Sequence, residues 1–172
     1  MGASQDRARY RFGLLDADDS GVLERGDFEL LADRVIAASG IEPGTAAALR
    51  VREAYLTYWQ GLYEQADSNG DGVVDFEEYS AVVHDRAAFE RYVRPYAEAL
   101  VGAADRNGDG WVEREQYVAC MVATGFAVAR AEATFDELDP AGTGRVSGER
   151  WLESIAGYYT GEGQQVTDHL LG

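Results

Sequence analysis

Apolar residues recur at intervals of three and four along most of this chain, the spacing of one face of an α-helix. The stripes are Phe12 with Leu15, then Phe28, Leu31 and Val35, then Trp59, Leu62, Tyr63 and Ala66, then Tyr79, Val82 and Val83. Four more follow: Leu100 with Val101, Tyr117 with Cys120 and Met121, Phe135 with Leu138, and Trp151 with Ile155 and Tyr158. Within each successive pair of stripes lies a polar stretch rich in Asp and Gly, beginning at Asp16, Asp67, Asp105 and Asp139. The pattern predicts an all-α fold of eight helices arranged as four helix-loop-helix units. A single unit leaves its apolar face open to water, so the units are expected to pair, one with two and three with four.

The units are expected at about 5–38, 45–87, 90–124 and 128–158, followed by a tail over 159–172, all within one domain of residues 1–172. The first interval between loops is the longest. It contains Gly40, Pro43 and Gly44, which end one helix, and then Thr45 to Ala66, which reads as one long helix capped by Thr45. Pro95 sits inside a helical pattern and marks a kink or a helix start. No Gly/Ser linker separates the second unit from the third, so the two pairs should pack as one compact body. After Tyr158 the sequence TGEGQQ breaks the pattern, and Val166 to Leu171 forms a short apolar tail expected to dock on that body.

The four polar stretches align as twelve-residue repeats. Glycine stands at the sixth place of each (Gly21, Gly72, Gly110, Gly144), and an apolar residue at the eighth (Leu23, Val74, Val112, Val146). A short β-pairing between neighbouring loops follows from that eighth residue, with its side chain turned inward. Immediately after each loop comes an aromatic: Phe28, Tyr79, Tyr117 and Trp151.

The second stretch, DSNGDGVVDFEE, carries oxygen ligands at every place a calcium loop needs them. Asp67, Asn69 and Asp71 stand at positions 1, 3 and 5, the Val73 carbonyl at 7, Asp75 at 9 and Glu78 at 12. Ca2+ takes six to eight oxygens at about 2.3 to 2.6 Å in a flexible shell, which this spacing supplies from one short segment. The first stretch offers Asp16, Asp18, Ser20, the Val22 carbonyl, Glu24 and Asp27. Asp27 is one methylene shorter than the usual glutamate, so the exiting helix must come closer, and Mg2+ gains ground there. The third offers Asp105, Asn107, Asp109, the Trp111 carbonyl, Glu113 and Gln116. The Gln116 amide gives one neutral oxygen in place of two charged ones; the loop is either a weak site filled at millimolar Ca2+ or a structural turn. The fourth, DPAGTGRVSGER, puts Ala141 and Arg150 where ligands belong and is expected to be metal-free.

This layout resembles the EF-hand superfamily over almost the whole chain. The long first interval, the compact join and the terminal LLG look like the sarcoplasmic calcium-binding proteins, in particular their bacterial calerythrin-like branch. The resemblance implies a compact all-helical fold that buffers or transports intracellular Ca2+, with ligands carried over onto Asp67, Asn69, Asp71, Asp75 and Glu78.

Charge agrees with a cation partner. Thirty-one acidic residues against 15 basic ones give a net charge of −16, which argues against nucleic acid or an anionic membrane. Three bound Ca2+ ions would reduce that to −10, so metal and stability should be linked. Cys120 is the only cysteine, which excludes an internal disulfide and suits a reducing interior. No apolar run is long enough to span a membrane, and the polar N-terminus lacks a secretory core, so the protein is expected to be cytoplasmic. Met1-Gly2 begins like a myristoylation site, but Asp6 stands where Ser or Thr is wanted. His84 and His169 neighbour no nucleophile motif and read as surface residues, Cys120 reads as a small core residue, and no enzymatic activity is expected. The ten tyrosines, six phenylalanines and three tryptophans fall at helix-face positions and read as core more readily than as the lining of a ligand cavity. A calcium buffer is thus the first functional reading, a sensor that shows another surface or its tail to a target the alternative. A monomer is expected, and no motif indicates a protein target.

Overall fold

The structure, a computed structural model, describes residues 3–160. Its helices are α1 (Ala3–Leu15), α2 (Arg25–Ala38), α3 (Ala46–Ala66), α4 (Phe76–Val82), α5 (Arg86–Ala88), α6 (Arg94–Ala104), α7 (Arg114–Ala123), α8 (Val128–Leu138) and α9 (Gly148–Thr160). A π-helical turn over Phe89–Val93 joins α5 to α6. These three pieces form one continuous bent helix, so the eight helices of the sequence pattern are all present. The π-helical turn lies just ahead of Pro95, which falls in the first turn of α6. The apolar tail and His169 fall outside the described residues.

Local chemistry accounts for the helix ends. Thr45 Oγ1 accepts from the Ala48 N–H at 3.3 Å and starts α3. Asp75 and Glu78 cap each other's amides at the start of α4, Asp75 accepting from Glu78 N–H at 2.9 Å and Glu78 from Asp75 N–H at 3.2 Å. At the sixth loop position the backbone has φ between 81° and 89° in Gly21, Gly72, Gly110 and Gly144, a left-handed turn that glycine adopts without cost.

The loops are stapled in pairs. Leu23 and Val74 exchange both backbone hydrogen bonds, at 2.8 and 2.9 Å. Strands β1 (Trp111–Glu113) and β2 (Arg145–Ser147) run antiparallel with Val112 opposite Val146. All four of these apolar residues are buried, as are the four aromatics that follow the loops. One hydrophobic core runs through both pairs. Its centre is a cluster of rings in which Tyr55 meets Tyr96 edge-on at 4.9 Å, Tyr58 stacks on Tyr92 at 5.5 Å and Phe28 packs on Tyr58 at 5.3 Å. α3 lies against α6 and α2 against α7, which joins the two halves into one body. Close approach of α3 to the π-helical turn depends on Gly61: a β-carbon there would sit 2.4 Å from Tyr92 Cδ1. Cys120 is buried in this core beside Ser39, and His84 is exposed. The rings do not close the interior completely, leaving a cavity of about 60 Å³ beside Arg11.

Candidate metal centres

Each loop is anchored at both ends by a helix, and its first aspartate turns back on the loop. Asp16 accepts from Ser20 N–H at 2.9 Å and Gly21 N–H at 2.8 Å. Asp67 accepts from Gly70 N–H at 2.8 Å and Gly72 N–H at 3.2 Å, and Asp105 from Gly108 and Gly110 N–H, both at 2.9 Å. These bonds curl each loop around the carboxylate of its first aspartate. Position 4 takes a left-handed conformation too, in Gly70 (φ 74°), Gly108 (φ 71°), Gly142 (φ 64°) and Asp19 (φ 59°). Three of these four residues are glycines, which is the sequence signal for the left-handed fourth place that ligand spacing alone does not show.

The twelfth residue closes each loop from the exiting helix, and here the loops separate. Glu78 Oε1 accepts from Ser68 N–H and Ser68 Oγ at 3.0 Å and from Asn69 N–H at 3.3 Å. Loss of solvent works to raise the Glu78 carboxyl, but the amides of Asp75, Ser68 and Asn69 and the Ser68 hydroxyl outweigh it and hold the group below its usual range. Asp27, one methylene shorter, reaches the equivalent amides: Ala17 N–H at 2.8 Å, Asp18 N–H at 3.3 Å and Glu24 N–H at 2.9 Å. It does so by being buried, with 1% of its surface exposed. Burial pushes the Asp27 carboxyl up, its three amide donors pull it down, and the Asp18 charge adds to the rise.

Among the described residues, Asp16, Asp18 and Asp27 form the one acidic group of three whose ligand oxygens all lie within 4.8 Å of one another. The remaining first-loop ligands are placed otherwise: the Val22 carbonyl accepts from Ser20 Oγ at 3.1 Å, and Glu24 precedes α2 as its cap residue. In the second loop, Asp71 Oδ1 accepts from Val73 N–H at 3.1 Å and Asn69 Oδ1 from Asp71 N–H at 2.8 Å. Sequence ranked the second loop above the first by ligand identity, whereas the structure gathers the first loop's carboxylates more tightly.

In the third loop Asn107 donates to Asp109 at 3.1 Å, and Asp109 accepts from Trp111 N–H at 2.9 Å. Glu113 is exposed. Gln116 Oε1 is buried without a hydrogen-bond partner, unlike its counterparts Asp27 and Glu78. In the fourth loop Asp139 accepts from Thr143 N–H and Oγ1 at 2.9 Å and from Gly144 N–H at 2.7 Å. The Thr143 amide is the largest cause that holds the Asp139 carboxyl below its usual range. Arg150 stands exposed at the twelfth place, so this loop keeps its shape through its own hydrogen bonds.

All the donors at the ligand positions are oxygens, with four carboxylates at those positions in each of the first two loops and three in the third. That set fits a hard divalent cation, and the orphaned Gln116 oxygen fits a ligand role at the third site. Two arginines that spacing did not single out brace the loops: Arg34 donates to the Ala17 carbonyl at 3.0 Å, and Arg106 to the Ala38 carbonyl at 3.3 Å.

A family model described as the EF hand matches residues 64–83, which span the end of α3, the second loop and all of α4. Calerythrin from Saccharopolyspora erythraea is 28% identical over 175 residues, with 98% of this chain and 97% of calerythrin covered. The chain is thus similar to an EF-hand over its second loop and to calerythrin along nearly its whole length. Among solved structures, its fold is similar to that of a Streptomyces coelicolor calcium-binding protein described as acting in prokaryotic calcium-mediated regulation. That likeness has a TM-score of 0.80 and 28% identity, over 91% of this chain and 98% of the other. The sarcoplasmic calcium-binding protein of amphioxus shares the fold, with a TM-score of 0.72 at 21% identity over 100% and 98% of the two chains. Among the described residues no helix is long and apolar enough to cross a membrane.

Proposed function

We propose that this chain is an EF-hand protein that binds Ca2+ through its first three loops and acts inside the cell as a monomeric, non-catalytic calcium buffer or transporter. The second loop is the full site, through Asp67, Asn69, Asp71, the Val73 carbonyl, Asp75 and Glu78. The first, through Asp16, Asp18, Ser20, the Val22 carbonyl, Glu24 and Asp27, also accepts Mg2+, because its buried, shorter Asp27 draws the shell inward. The third, ending in Gln116, is the weakest. The observation that carries the reading is the convergence of Asp16, Asp18 and Asp27 in a loop stapled to a second one of complete ligand pattern. The buffer role is supported by the single core that runs through both halves, since opening either half would part the Tyr55–Tyr96 contact. The chain has two methionines, and Met121 is buried, so it lacks the Met-rich groove of a calmodulin-type sensor.

One observation favours the sensor alternative, namely the regulatory description of the Streptomyces coelicolor relative. A calorimetric Ca2+ titration with and without Mg2+, run beside a hydrophobic-surface dye, tests both readings. The buffer reading expects two strong phases and one weak phase, Mg2+ competition at one strong phase, and little dye gain. Absence of Ca2+ heat would sink the metal assignment, and a large dye gain would replace buffer with sensor.

A further inference from the structure

Arg11 lies on α1 with 4% of its surface exposed, and among the described residues no carboxylate pairs with it. Its charge is met by ring faces instead: the guanidinium carbon lies 3.7 Å from the centre of the Tyr159 ring and 5.6 Å from that of Tyr158. A ring face returns only part of the solvation that a buried cation loses. Arginine keeps its proton under these conditions, so the imbalance cannot be relieved by neutralisation. Arg11 Nε has no hydrogen-bond partner, and the hydroxyls of Tyr117 and Tyr158 are likewise buried without one. All three residues line the same cavity of about 60 Å³, whose other walls include Tyr55, Leu100 and Trp151. A buried cation, unused donors and apolar rings therefore surround one space.

We propose that this cavity binds a small monocarboxylate with a short apolar tail. The carboxylate meets the Arg11 guanidinium, which presents a planar fork of donors matched to two oxygens. Further lone pairs on those oxygens accept from the tyrosine hydroxyls, and the tail lies among the rings. Size limits the ligand: one water-sized group needs roughly 10 to 15 Å³ of such space, so the cavity takes about four to six non-hydrogen atoms. Butyrate has that size. Phosphate and sulfate have no apolar tail and carry more charge than one guanidinium offsets. The site is separate from the metal loops and stands or falls independently of them.

The test uses the full chain with Ca2+ present throughout, and reads thermal stability and calorimetric heat against butyrate, butyramide and n-butylamine. Butyrate should raise the melting temperature saturably, beyond the shift given by NaCl at equal ionic strength. Butyramide matches its size without the charge and should bind at least about tenfold more weakly; butylamine should not bind. Arg11→Leu should abolish the butyrate effect, and Arg11→Lys should weaken it. If Arg11→Leu does not fold, the comparison of the three isosteres on the unaltered protein decides alone. Equal responses to butyrate and butyramide, or a butyrate response no larger than that to NaCl, would overturn the proposal and leave a cavity that holds water only.

Discussion

At the twelfth loop position, Asp27 and Glu78 accept hydrogen bonds from the amides of the same three loop places, two, three and nine, despite differing by a methylene. The shorter side chain achieves this by burial and the longer one by reach, so their carboxyls shift in opposite directions from the ordinary value. Glu78→Gln replaces a charged two-oxygen acceptor by a neutral amide. It should weaken the strongest phase of a Ca2+ titration about tenfold or more, roughly 1.4 kcal/mol or above; an unchanged strongest phase would place the tight site elsewhere. His84 gives a pH prediction away from the loops. Partial loss of solvent around this exposed ring, then the charges of Arg11 and Arg7, hold its imidazole below the usual 6.5. The folded protein thus prefers neutral His84, and this contribution is present above the unfolded value and lost as pH falls through the folded one. His84→Gln should flatten the decline in stability between about pH 7.5 and pH 5.5. Denaturant melts at the two pH values, with equal declines for both proteins, would count against that assignment.

Helices and loops were the most legible level. A period of three to four residues gave each helix, and Thr45 gave the start of α3, because caps and amphipathic faces are local properties. The eighth loop residue gave the pairings of Leu23 with Val74 and of Val112 with Val146. Pro95 signalled a kink or a helix start but not the π-helical turn ahead of it, since such a turn depends on what the helix packs against. Gly61 carried no visible meaning in sequence, where it reads as a weak point in a long helix. The tertiary structure explains it, as the Tyr92 ring occupies the space of its missing β-carbon. Gly61→Ala should therefore destabilise the fold by about 1 to 3 kcal/mol, although alanine is the better helix former. Urea unfolding would read the change, and a gain in stability would show that Tyr92 moves aside freely.

Over the whole molecule, the net charge of −16 opposes compaction, and the first two loops concentrate five carboxylates each. Removing Ca2+ with a chelator should lower the melting temperature, and added NaCl should recover part of that loss by screening the exposed carboxylates. Thermal scans with and without chelator at low and high salt would check both parts; a melting temperature indifferent to chelation would contradict the linkage. The two halves share one aromatic core, so metal-linked stability should appear as one transition.

Sequence by itself determined the helices, the loop repeat and the residue types at each loop position, Ala141 and Arg150 in the fourth included, because each is set by neighbours within about a dozen residues. Tertiary structure decided how closely those ligands gather. Asp27 joins Asp16 and Asp18 only because α2 is drawn into the core, and the Gln116 oxygen is left without a partner by the local packing. It also decided that Arg11, one unremarked residue of a polar N-terminus, is buried among tyrosines from distant helices. Burial of a charge depends on which surfaces meet across the fold, and no spacing along the chain encodes that.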